Sequence, residues 1–129
     1  MTTELWCLVG NALWGLGLVM LEITGKTAVA GSAWNSGNRE TSPVFPVWVQ
    51  RAGRALANHQ ENFPLFAVAV LVVHLAGKED SISGTAALAY VAARAVHGVL
   101  YVAGVTKLRT LAFLVGLCSV FAILSRLLS

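Results

Sequence analysis

Residues 51–77 read RAGRALANHQENFPLFAVAVLVVHLAG, and this stretch decides the class of fold. Its second half, Phe63 to Gly77, is apolar apart from His74 and spans 15 residues. That makes about 22 Å of helix, too little to cross a hydrocarbon core of about 30 Å. The helix must therefore extend upstream through the polar half, giving a span over residues 50–77. On such a helix Arg51, Arg54, Asn58 and Glu61 fall three, four and three residues apart and share one face. Ala52, Ala55, Leu56 and Ala57 occupy the other faces. Pro64 cannot bond the carbonyl of Gln60, which predicts a kink there.

Three further segments are long and apolar enough to be spans: 5–23, 83–105 and 108–128. Four spans and their links use the whole of a 129-residue chain, a single-domain length. The expected fold is all-α, an integral membrane four-helix bundle. Composition agrees, with 57% hydrophobic and 12% charged residues and a mean hydropathy of +0.72. Soluble domains carry near 25% charged residues. These figures exclude a soluble enzyme, a disordered tail and a nucleic-acid binder. The formal charge of +3 does not restore the last, because its nine Lys and Arg are scattered and form no basic stripe. Cys7 and Cys118 lie inside apolar runs and read as buried free thiols, with no disulfide framework and no metal site. The first segment has no positive n-region and is long for a signal peptide, so it reads as a span despite Ala28-Val29-Ala30.

The link from Lys26 to Arg54 holds four basic residues and one acid, and the third link is short and basic with Lys107 and Arg109. The second link, Lys78-Glu79-Asp80, is acidic on balance. By the positive-inside rule, links one and three are cytoplasmic and both termini lie outside. The first link, Gly25 to Trp48, is rich in Gly, Ser, Asn and Pro and reads as turns. Trp34, Phe45 and Trp48 suit the membrane interface. A short multi-pass chain of this kind fits a bacterial inner membrane.

The third span carries a second polar stripe: Tyr90, Arg94, His97 and Tyr101, spaced four, three and four apart. An arginine at the centre of a span costs about 2.5–3.5 kcal/mol or more to insert unless it faces protein or water. Glu61 is the acid expected to pair with Arg54 or Arg94. Polar pairs of this kind can serve only to hold a bundle together. Here Arg51, Arg54, Arg94 and Arg109 outnumber that acid, and surplus arginines at one end of a bundle suit an anionic ligand with carboxylates. His59 lies off the stripe and is expected to be solvated, His74 packed or interfacial, Asn11 a helix–helix contact and Glu22 interfacial. The three histidines make no axial pair for haem by spacing.

Arg51-x-x-Arg54-Ala-x-x-Asn58-x-x-Glu61-Asn62-Phe63-Pro64-Leu65-Phe66 resembles the signature of the MAPEG family, the membrane-associated proteins of eicosanoid and glutathione metabolism. Tyr90-x-x-x-Arg94-x-x-His97-x-x-x-Tyr101 is similar to the family's second motif, and Leu108-Arg109 completes the likeness, which covers about Arg51 to Phe113. The resemblance implies a four-helix bundle assembled as a homotrimer, with glutathione as co-substrate between subunits near the cytoplasmic face. It makes Arg51, Arg54, Asn58 and Glu61 candidates for holding glutathione from the second helix, and Arg94, His97 and Tyr101 from the third. It makes Arg109, with help from Tyr101, the candidate for stabilising the thiolate.

The activity implied is a glutathione transferase or peroxidase acting on a lipophilic molecule that arrives from membrane lipid, with no metal and no nucleic-acid partner. Asn62 departs from relatives that carry tyrosine there, and the spacing from Tyr101 to Arg109 is the chain's own. The alternatives are a family-like lipid- or glutathione-binding protein without turnover, and a small four-span multidrug transporter. The transporter needs an acid embedded in the first span, where this chain has only Glu22 at the end.

Overall fold

In the computed structural model, which describes residues 1–129, the first helix, α1 (Thr3–Ala30), turns its apolar side outward. Trp6, Val9, Leu13, Leu16 and Met20 are exposed. Its inward stripe is polar or small apart from Leu18: Glu4, Cys7, Asn11, Gly15, Leu18 and Gly25 are buried. This is the reverse of a water-soluble amphipathic helix. It follows from a surrounding medium as apolar as leucine, in which close approach and polar contacts hold helices together.

A short helix, α2 (Ser32–Ser36), leads to α3 (Val47–Leu75), α4 (Ser81–Ala103) and α5 (Lys107–Ser125), which ends in a 3-10 turn over Arg126–Leu128. There are no strands, so the fold is all-α. Three helical segments are long and apolar enough to cross a membrane: Thr3–Ala30, Ser81–Ala103 and Lys107–Leu128. α3 has 29 residues and carries the charged stripe. α4 and α5 share the most extensive contact, α1 packs on α3 and α4, and α3 packs on α4 and α5.

Several boundaries differ from the sequence reading. α1 continues past Ile23 to Ala30, so the start of the first link is helix and not turns. Glu22 and Lys26, one turn apart, pair at 2.6 Å and satisfy each other there. The rest of the link is ordered by contact: the Trp34 indole N–H donates to the Thr41 carbonyl at 2.6 Å, and Phe45 packs edge-on to the Trp34 ring at 5.4 Å. α3 starts at Val47 and ends at Leu75, shifted two or three residues toward the N-terminus of the 50–77 span, with Pro64 inside it. α4 starts at a capping box in which the Asp80 carboxylate accepts from the Ile82 and Ser83 backbone N–H groups and the Ser83 hydroxyl accepts from the Asp80 N–H. It ends at Gly104, whose left-handed φ of 83° suits glycine.

The core between α1, α3, α4 and α5 contains Cys7, Phe66, Val70, Val73, Tyr90 and Ile123. Cys118 is not buried as expected; it sits on the outer face of α5. One end of the bundle gathers both termini and the α3–α4 turn. There Thr2 donates to Glu79 at 2.6 Å, His74 Nδ1 lies 2.9 Å from Glu79, and Arg126 Nε lies 2.8 Å from Asp80. The other end gathers the start of α3 and the α4–α5 turn, with Arg51 against Gly104 so closely that a Cβ there would collide with the guanidinium.

Candidate functional site

The α4 stripe faces the interior. Tyr90, Arg94 and His97 are buried and Tyr101 is half-buried. Gly116 of α5 packs against Tyr90 and Arg94 at ordinary contact distance. α5 passes close to α4 at Gly116, where a Cβ would lie 3.5 Å from Arg94 Cδ and 3.8 Å from the Tyr90 ring. On the other side the Phe66 ring stacks on Tyr90 at 4.0 Å, and the Tyr90 hydroxyl donates to the Asn62 carbonyl at 3.2 Å.

Arg94 does not pair with Glu61, and neither does Arg54. The structure's ion pairs are Lys26–Glu22, His74–Glu79 and Arg126–Asp80. Arg94 instead donates from Nη2 to Asn58 Oδ1 at 2.7 Å. The reason is depth and facing. Asn58 lies on the side of α3 that meets α4, while Arg54 and Glu61 lie on the exposed side of the same helix. The expected single face is thus split by packing: Asn58 goes inward, Arg54 and Glu61 outward, and Arg51 toward Gly104. An amide oxygen satisfies one guanidinium donor and neutralises none of its charge, so Arg94 stays a buried cation without a carboxylate.

Toward the basic end, His97 packs edge-on to Tyr101 at 5.6 Å and against Phe113 at 6.3 Å. Arg109 lays its guanidinium over the Tyr101 ring, 4.3 Å from the centroid. This cation–π contact holds the two residues together. Arg94, His97, Tyr101 and Arg109 therefore form a continuous row. A small cleft between α3, α4 and α5, lined by Asn62, Leu65, Tyr90, Arg94, Phe113 and Gly116, opens beside its inner end.

His59 is not solvated. It is 4% exposed, sits against Gly15 of α1 and stacks on Phe63 at 5.7 Å. The missed signal was Gly15, whose lack of a side chain leaves the hole that the imidazole fills. Glu4 was also missed: its carboxylate is buried and accepts from the Ser83 hydroxyl. Asn11 is a buried helix–helix residue as read, and His74 is half-buried beside Glu79.

These features define an all-helical protein with apolar helices long enough for a membrane, one buried arginine and a polar row leading from it to a second. The sequence model of the MAPEG family matches residues 5–129, essentially the whole chain. The chain belongs to the MAPEG family. Neither a curated protein nor a solved structure matches it.

Proposed function

We propose that the protein is a glutathione-dependent membrane transferase or peroxidase that works as a homotrimer, with α3 as a fourth span. The observation that carries this reading is Arg94. It is a buried guanidinium held by Asn58 with no acid to offset its charge. A buried charge is costly unless paired, and a carboxylate of glutathione offers the pairing. Family membership supports the choice of ligand class.

Arg54 and Glu61 support the trimer. Both are exposed on α3, and lipid would solvate neither. Covered by a neighbouring copy, they would meet a ligand lying between subunits, Glu61 toward the ammonium and Arg54 toward a carboxylate. Arg51, His97 and Tyr101 would complete the contacts. The basic end carrying Arg51, Lys107 and Arg109 would face the cytoplasm, with both termini outside.

Arg109 has the thiol-activating role in this reading. A guanidinium beside sulfur favours the thiolate and gives up no proton at neutral pH, so the thiol proton leaves to water. Tyr101, held under Arg109, can add a hydroxyl donor. In conjugation the thiolate sulfur forms a bond to the electrophilic carbon and the leaving group departs with its electron pair. With a lipid hydroperoxide the sulfur attacks the terminal oxygen and the O–O bond breaks. The alcohol is released, and a second glutathione converts the sulfenic acid to disulfide and water. The electrophile would reach the site from the bilayer.

The test is calorimetry of glutathione with detergent-purified protein, followed by turnover with a chloronitrobenzene electrophile and with a lipid hydroperoxide. Saturable binding with turnover of either substrate supports the enzyme. Binding without turnover leaves a binding protein of the same family, and no binding removes glutathione from the reading.

A further inference from the structure

Arg94 is not the only polar side chain sealed in the bundle. Asn11 on α1 is 0% exposed, and His59 on α3 and Arg94 on α4 are nearly as deep. Both amide atoms of Asn11, Nδ1 of His59, Nε of Arg94 and Nε1 of Trp14 are buried and make no hydrogen bond within the protein. A neighbouring subunit cannot supply partners for Asn11, because that side chain is closed off inside one protomer.

Helix register brings these groups within about one turn of each other along the bundle. α1 and α3 run antiparallel, with Glu22 against Gly53, Leu18 with Ala55 and Leu56, and Gly15 against His59. Cys7 clusters with Phe66 and Tyr90. Asn11 therefore falls between the Phe66–Tyr90 layer and the His59 layer. α1 and α4 run parallel, with Glu4 at Ser83 and Trp14 on Gly98. That register sets Asn11 beside the segment from Tyr90 to Arg94. Arg94 in turn is bonded to Asn58, the neighbour of His59. The unpartnered atoms come from three helices that meet at this junction.

Their chemistry is complementary to water. Arg94 Nε–H, Trp14 Nε1–H and the Asn11 amide N–H groups donate, Asn11 Oδ1 accepts, and His59 Nδ1 takes either role with its tautomer. Buried waters sit where several otherwise unsatisfied polar groups surround them, and they make about three bonds each.

We propose that Asn11, His59 and Arg94 hold ordered water at the α1–α3–α4 junction, and that Asn11 acts through it as a positioning residue for Arg94. The water takes the Nε edge of the guanidinium while Asn58 takes Nη2. The side chain is thereby fixed in the plane that presents its remaining edge to the site. Only the effect on glutathione rests on the function proposed above; the water site and the pose of Arg94 do not.

The experiment is a crystal structure of the detergent-purified protein, wild type and the pair Asn11→Thr and Asn11→Val, with glutathione calorimetry on each. Thr and Val have nearly the same shape and differ by a hydroxyl. Wild type and Asn11→Thr are expected to show water density bonded to Arg94 Nε and to residue 11, with Arg94 on Asn58. Asn11→Val should lose that density, release Arg94 from Asn58 and weaken glutathione binding about tenfold, the worth of one bond to a charged group. Asn11→Thr should stay within about twofold of wild type. Absence of density in a well-ordered wild-type map would overturn the proposal, as would Thr and Val variants that displace Arg94 equally. If wild type shows the water and bound Arg94 yet takes up no glutathione, the function fails and this proposal stands.

Discussion

Arg94 and Arg109 occupy the same row but are held in different ways, and the difference predicts different roles. Arg94 is fixed by an amide at 2.7 Å deep in the bundle, and Arg109 by the face of Tyr101 at 4.3 Å near the basic end. Arg109→Ala should raise the apparent thiol pKa in the pH–rate profile of conjugation toward the free value of about 8.5 and slow the chemical step. Glutathione affinity should fall much less. An unmoved profile would make Arg109 only an interfacial anchor. Glu61 has no ion-pair partner within the protomer, so Glu61→Gln leaves no intramolecular arginine stranded. It should weaken glutathione binding about tenfold or more, as for a lost bond to a charged group. Calorimetry checks this, and unchanged binding would remove Glu61 from the site.

At the scale of elements, close approach of α1 to α3 depends on small residues. A Cβ at Gly15 would lie 2.5 Å from His59 Nε2. Gly15→Ala should therefore lower the melting temperature, with overpacking costing about 1–3 kcal/mol. The matching change at Gly10, where a Cβ meets nothing within 4 Å, should leave it unchanged or raise it, since alanine is the better helix former. A thermal-shift comparison of the two variants reads this.

The turn between α3 and α4 predicts a dependence on acid. At Glu79, partial burial pushes the carboxyl up, but bonds from Thr2 and His74 and the His74 charge hold it below its ordinary value of 4.5. Asp80 is held below 3.8, first by the Ser83 backbone N–H and then, against an opposing desolvation, by the Ile82 N–H and Arg126. Depressed carboxyls contribute stability that is present above their unfolded values and lost as pH falls through the folded ones. The melting temperature should hold from neutral pH to about pH 5 and drop below about pH 4, and Asp80→Asn with Glu79→Gln should flatten that drop.

The four long helices and the α4 stripe were legible because apolar runs and a repeat of three and four residues survive whatever the helices pack against. What the sequence hid were the choices between neighbours. Arg94 was assigned to Glu61 on charge alone. The depth of Asn58 and the exposure of Glu61 follow from how α3 is rotated, which the pattern of one helix does not specify. The burial of His59 likewise needed Gly15 of another helix. α1 read as an apolar run broken only by Asn11 before Glu22, and the inward stripe that Asn11 shares with Glu4 and two glycines appears only once its partners are in place.

For the whole molecule, the exposed charges on α3 predict assembly. Native mass spectrometry in mild detergent should find trimers, and monomers alone would count against a site shared between copies. The most direct test of glutathione activation is the ultraviolet thiolate band of glutathione added to the purified wild-type protein at neutral pH. Activation by the arginine row predicts a saturable rise well above that of free glutathione at the same pH. A spectrum equal to the sum of protein and free glutathione would contradict it.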